Sequence, residues 1–394
     1  MSRKTLRNPV KWLAKKGAKQ ASKKSILTPA NNFKEELYTS LFTSGGLHET
    51  KLWKELNLVS AVSCEMVPNR AKWYREVVGK RSEMVCEDIT KPGVLDRLVQ
   101  LHKEKGCTGL IASPVCTEYS LANQKRNPVS KNGLLYEYVL EFVRRTMPVW
   151  IAIENSDQMM KVTVGGKVVG MRIVDALKAM GYYVAYGVQD CAGFFVAQHR
   201  RRTIIIAHLH RQPVLPTPSK KIITLREAIG DLPKLECGQK SHIKWHDASM
   251  FTWSASQIAV MAHTASGESA QDNLPPYRPC KKDGSPCKSR FHCAFQRRDW
   301  NDACNTILQD SKSISGFRTC HPGNFVGYDE DGLRVYDSCR PLTVLELYIV
   351  SGIYPDENGD LPIPNWASDN LIRQMIGEQW ACNHCLEVLR SLVR

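Results

Sequence analysis

Short apolar runs recur along the first half of the chain, and the stretches between them carry apolar positions three or four residues apart. The runs predict strands at residues 37–42, 58–65, 84–87, 109 up to the break at Pro114, 149–155, 182–188 and 203–209. The intervening stretches predict helices at 49–56, 68–78, 95–105, 133–145 and 171–180. In the fourth of these, Leu134, Leu135, Tyr138, Val139, Phe142 and Val143 form a core-facing stripe. Residues 162–169, with Gly165 and Gly166 at the turn, read as a hairpin excursion. Alternation of this kind predicts an α/β fold, a doubly wound, mostly parallel sheet with helices on both faces. After His210 the pattern dissolves, and residues 234–295 are rich in Pro, Gly, Lys and His. Two closing helices, 366–375 and 381–393, are expected to pack back on the sheet beside the first strand.

Composition narrows this picture in four ways. A chain of 394 residues has room for one large α/β domain and a smaller one. No apolar run approaches the roughly 18 residues of a membrane span, and the basic N-terminus lacks the apolar core of a secretory signal. The 14 scattered cysteines fit reduced thiols in an intracellular compartment. The fourth point is charge: a net +15 suits a polyanionic partner such as nucleic acid. Residues 1–34 hold ten Lys or Arg and no acid, so ten of those fifteen charges sit in the tail. That tail reads as disordered, compatible with a non-specific DNA-binding arm or, in a eukaryotic host, a nuclear targeting patch. Cys280, Cys287, His292 and Cys293 match no zinc-finger spacing, so they read as ordinary loop cysteines and no metal is expected.

The candidate chemistry collects at strand ends, where open α/β sheets place their ligands. A glycine-containing turn, Thr43-Ser44-Gly45-Gly46-Leu47-His48, follows the first strand, and glycine there lets backbone approach a ligand closely. Glu65 ends the second strand, where an acid commonly accepts from ribose hydroxyls. Cys116 follows the 109–113 strand in the stretch Pro114-Val115-Cys116. Glu154 and Asn155 end the next strand. Gln198, Arg200 and Arg202 form a basic cluster read as a loop before the strand at 203. A nucleophile, an acid and cationic anchors at successive strand ends make an active-site constellation.

Pro114-Val115-Cys116, Glu154-Asn155 and Gln198-x-Arg200-x-Arg202, in that order, resemble the three central motifs of DNA (cytosine-5)-methyltransferases. The resemblance runs from about Ser40 to Arg394. It includes Phe42 and Gly46 of a first motif, Asp88-Ile89-Thr90, Arg340-Pro341-Leu342-Thr343 with Glu346, and Gly377. It implies the following roles. S-adenosylmethionine would lie against Phe42, Gly45, Gly46, Leu47, Glu65, Met66, Asp88, Ile89 and Pro114. Cys116 would attack carbon 6 of a flipped-out cytosine, Glu154 would donate to ring nitrogen 3, and Arg200 and Arg202 would supply positive charge, Arg202 also contacting the exocyclic oxygen. Asn155 and Ser120 would brace the loop of Cys116, and Gln198 would support the basic cluster.

The implied organisation is a tail at 1–34, a catalytic domain at 35–233, a target-recognition region at 234–296 and the rest of the catalytic domain at 297–394. A monomer acting on double-stranded DNA is expected. Two alternatives stay open: the same chemistry on RNA, and a catalytically silent DNA-binding relative. The chain departs from the family pattern at Ser44, which replaces the first glycine, and at Glu378, which replaces the asparagine after Gly377. It departs again at Val115, Thr117, Tyr119 and Ser156.

Overall fold

In a computed structural model, which describes residues 35–393 except 116, 120–122, 124, 282 and 287–292, the apolar runs form one seven-stranded sheet. The strands are β1 (Glu36–Leu41), β2 (Leu58–Cys64), β3 (Glu83–Val85), β4 (Gly109–Ala112), β5 (Trp150–Ser156), β8 (Tyr183–Asp190) and β9 (Arg201–His208), with a small hairpin of β6 (Thr163–Val164) and β7 (Lys167–Val168) between β5 and β8. Their spatial order is β3-β2-β1-β4-β5-β9-β8. β3, β2, β1, β4 and β5 run parallel, and β9 lies antiparallel between β5 and β8. The sheet is therefore mostly parallel, as expected. β1 has β2 on one side and β4 on the other, so the chain reverses its winding at β1, and the crevice at that switch point is where a ligand fits.

The side chains alternate across this sheet. Ile151, Ile153, Ile205 and Ala207 join one apolar cluster with helices α3 (Val94–Glu104), α4 (Leu135–Thr146) and α5 (Val169–Ala179). Trp150, Ala152, Ile204 and Ile206 face the other way, against the short helix α1 (Leu52–Leu56) and the C-terminal helix α10 (Cys382–Val393). Strands buried on both faces read as unbroken apolar runs, which is why they were legible. The closing helix does return to the sheet, through Leu386, Val388, Leu389 and Leu392.

Three local expectations need correction. Phe42 is not in β1: its φ of 59° takes it into the turn. The helix expected over 49–56 is a 3-10 turn, Leu47–Glu49, followed by α1, which stops at Asn57 in a left-handed cap. The basic cluster is not all loop, because Arg201 and Arg202 open β9.

After helix α6 (Leu225–Ile229), the aperiodic stretch shares a small core with residues between 314 and 339. Met261, at the end of helix α7 (Ala255–Ala262), clusters with Ala270, Ile314, Cys320 and Cys339. Beside them lies an antiparallel hairpin of β10 (Phe325–Tyr328) and β11 (Arg334–Tyr336). Buried arginines supply what periodic packing does not. Arg297 donates to the carbonyls of Met261, at 2.9 Å, and His321, at 3.0 Å, tying the end of helix α7 to a segment otherwise held by isolated bridges. Arg340 makes a two-pronged pair with Glu346 on helix α8 (Val344–Val350), both contacts 2.8 Å, and the two side chains are 1% exposed. Burial alone would raise the Glu346 carboxyl. The Arg340 guanidinium outweighs it and holds that carboxyl well below the usual range.

The pair's contribution to stability is therefore full above the ordinary carboxylate pKa of about 4.3 and is lost as pH falls toward the lower folded value. Arg340→Met is expected to cost about 3–5 kcal/mol, because it strands a buried charge. Urea unfolding at neutral pH checks this, and an Arg340→Met/Glu346→Leu double variant should recover most of the loss.

Candidate active site

The turn after β1 is tightly constrained. Phe42, Ser44 and Gly46 have φ values of 59°, 48° and 67°, all left-handed. A Cβ on Gly46 would lie 2.4 Å from the Tyr74 ring, and one on Gly45 would lie 2.8 Å from Met375 Sδ. Ser44 takes the conformation that glycine adopts without strain. Its backbone N–H donates to Glu65 Oε2 at 2.9 Å, and its hydroxyl donates to Glu378 Oε2 at 2.8 Å. These two hydrogen bonds offset the cost of a non-glycine residue there.

Glu65 follows β2 and also accepts from Val67 N at 2.9 Å, so both its oxygens are held. Beside it, Met66 is exposed. After β3, Asp88 accepts from the Thr90 backbone and hydroxyl and from Lys131 Nζ at 2.9 Å. Burial works against its charge, but these donors prevail and hold the carboxyl down at about 2. Ile89 is buried alongside.

On the other side of β1, Asn155 Nδ2 donates to Pro114 O at 2.8 Å, tying the end of β5 to the segment that follows β4. Cys116 and Ser120 lie outside the described residues, as do Cys287, His292 and the 1–34 tail. Chain positions on either side of Cys116, namely Pro114, Val115 and Thr117, line the cleft. The antiparallel register sets Ser156 opposite Arg202, which places Glu154 diagonal to Arg202. Arg202 Nε meets Glu154 Oε1 at 2.7 Å in a pair that is 12% and 8% exposed.

Not every predicted residue faces the cleft in the same way. The Arg200 guanidinium reaches the carbonyls of Ile307, at 3.1 Å, and Gly377, at 2.8 Å, and is 2% exposed, so it ties two segments of the wall together. Gln198 is buried behind it, bonded to Ser351 Oγ and Ile307 N. Gly377 lies inside helix α9 (Asp369–Glu378) and does not break it. A Cβ there would meet Gln309 N at 2.4 Å, so the glycine admits the backbone of 308–309.

The cleft also recruits residues that strand-end reasoning missed. His199 sits between Asp190, at 2.8 Å, and Asp302, at 3.0 Å. Burial disfavours its proton, yet the two carboxylates raise its pKa above the ordinary value. Arg70 pairs with Glu378, and Gln309 donates to the same oxygen at 2.8 Å. Arg70, Gln309 and Asp302 carry no local mark in the sequence, because their partners lie far along the chain.

The cleft measures about 1380 Å³, more than the roughly 300–1,000 Å³ of a single-ligand pocket. It spans Asp88 at one end and Glu154 at the other, room for a nucleoside cofactor and a base together. The fit is chemical as well. The Gly45-Gly46 backbone offers a cradle that a Cβ would fill, Glu65 and Asp88 offer acceptors, and buried Ser113 Oγ and the Gln379 amide, both lining the cleft, have no partner among the described residues.

Among the described residues no helix is long and apolar enough to cross a membrane. A type II methyltransferase of Avibacterium volantium, M1.HgaI, is 31% identical over 347 residues, 86% of this chain and 93% of its own. Solved structures of similar fold include Entamoeba histolytica methyltransferase EhMeth, with a TM-score of 0.59 at 14% identity over 91% of this chain and 98% of that one. A DNMT2 variant of Spodoptera frugiperda gives a TM-score of 0.58 at 11% identity, over 91% of this chain and 100% of its own. A sequence model described as C-5 cytosine-specific DNA methylase matches residues 40–377. With that match over most of its length, the chain belongs to the C-5 cytosine-specific DNA methylases and is a DNA cytosine-5 methyltransferase.

Proposed function

We propose that the chain methylates carbon 5 of a cytosine flipped out of double-stranded DNA, through a covalent bond from Cys116 to carbon 6. The observation that carries this is the Glu154–Arg202 pair, set at the same cleft as Pro114, Val115 and Thr117. S-adenosylmethionine, when bound, supplies the methyl group on a sulfonium sulfur. Phe42, Gly45, Gly46, Leu47, Glu65, Met66, Asp88, Ile89 and Pro114 would hold it. Cys116 would attack as thiolate, since the thiolate is the nucleophile and can leave again. Its addition removes the ring's aromaticity and makes carbon 5 enamine-like. Glu154 would hydrogen-bond ring nitrogen 3 and draw electron density from the attacked carbon, and Arg202 would fix Glu154 and reach the exocyclic oxygen. Loss of the carbon-5 proton to a base then expels the thiolate. Extrusion of the base from the duplex costs a few kcal/mol, which the basic surface and the cleft must recover.

Incubation with S-adenosylmethionine carrying a labelled methyl group, in parallel with duplex DNA and a folded RNA, tests the substrate class. Label on cytosine in DNA alone is expected. Label on RNA alone would reassign the substrate. Label on neither, with DNA binding intact, would favour a silent binding relative.

A further inference from the structure

The two positions at which this chain departs from the family's cofactor motifs are bonded to each other: Ser44 Oγ donates to Glu378 Oε2 at 2.8 Å, across 334 residues of sequence. Arg70, near the start of helix α2 (Pro68–Val77), pairs with the other Glu378 oxygen, where Gln309 also donates. Both Arg70 and Glu378 line the cleft, with side chains 26% and 14% exposed, so each is mostly enclosed yet open on the ligand side.

Their place along the cleft identifies what they would meet. Asp88, Glu65 and Ser44 follow β3, β2 and β1, which are adjacent strands in that order. A nucleoside with its base at Asp88 and its ribose at Glu65 therefore directs its 5′ substituent past Ser44, toward Glu378 and Arg70. Resting on the reading that the cleft holds S-adenosylmethionine, we propose that Arg70 and Glu378 form a paired receptor for the zwitterionic amino-acid end of that ligand, Glu378 facing its ammonium and Arg70 its carboxylate.

The charge balance favours this. Burial pushes the Glu378 carboxyl up and prevails over Arg70, Ser44 and Arg200, with Glu65 adding to the rise. The carboxylate is thus short of positive charge even when paired, and an ammonium would supply it. Glu378 Oε2 accepts from Ser44 and retains acceptor capacity for a further donor. A neutral side chain at 378 would offer no such attraction.

Calorimetric titration of the full chain with three nucleosides tests the pairing. S-adenosylhomocysteine carries both charged groups, its decarboxylated form only the ammonium, and 5′-methylthioadenosine neither. Glu378→Gln is expected to weaken the first two by about tenfold or more and leave the third within about twofold. Arg70→Met is expected to weaken S-adenosylhomocysteine alone. The unchanged third ligand also shows that each variant keeps its fold. Equal weakening of all three by Glu378→Gln, or of none, would overturn the receptor. If the unaltered chain binds none of the three, the cofactor reading fails and takes this proposal with it.

Discussion

Cys116→Ala is expected to abolish methyl transfer, lowering it by at least about 10⁴-fold, while the affinity for S-adenosylmethionine stays unchanged. The loss is large because, in the proposed mechanism, the thiolate activates carbon 5 of the ring, and a hydroxyl or water is a much poorer nucleophile toward carbon 6. Most of the residues proposed to hold the cofactor, Gly45, Gly46, Glu65 and Asp88 among them, follow β1, β2 and β3, whereas position 116 comes after β4 in the chain. Duplex DNA containing 5-fluorocytosine isolates the attack itself. Fluorine blocks the final elimination, so the unaltered chain should form a complex that survives denaturation and the variant none. A Cys116→Ala protein that still produced the denaturation-stable complex would place the nucleophile elsewhere and sink the covalent assignment.

Glu65, Glu154 and Asn155 could be found from sequence because each ends a buried apolar run, and strand ends are where a parallel sheet exposes polar groups to a ligand, whereas Asp88, after the short and partly buried β3, was marked only by its motif. Direction was harder. The stretch from Asp190 to Arg201 is too short for a helical crossover, so β9 must return antiparallel beside β8, yet the period-two pattern is the same either way up. The region around Arg297 was opaque for another reason. Its loops are held by guanidinium–carbonyl bonds and a few scattered apolar residues, neither of which leaves a periodic trace. Arg200 shows the limit of motif reading: the side chain lies at the cleft, but its guanidinium is taken by the Ile307 and Gly377 carbonyls. Ser44 and Glu378 were visible only as two unrelated departures until folding brought them together.

Glu154→Gln should lower the single-turnover methylation rate by about 10²–10⁴-fold, the range for losing a positioned acid–base group. Glutamine keeps the shape and can still accept from Arg202, so the variant tests chemistry and not the scaffold. The pair is 12% and 8% exposed and joins β5 to β9. Outright removal of the side chain would instead leave Arg202 facing a void, confounding rate with stability. With glutamine, nitrogen 3 can be offered a hydrogen bond but no proton, so negative charge built up by the attack at carbon 6 has nowhere to go. The adduct with 5-fluorocytosine DNA should therefore still form, on a much slower clock. Arg202→Met is the complementary probe, because it frees Glu154 from its partner and removes the proposed contact to the exocyclic oxygen together. If Glu154→Gln left the rate of adduct formation unchanged, the carboxyl would be a bracket for Arg202 alone, and activation of the ring would have to come from the arginine.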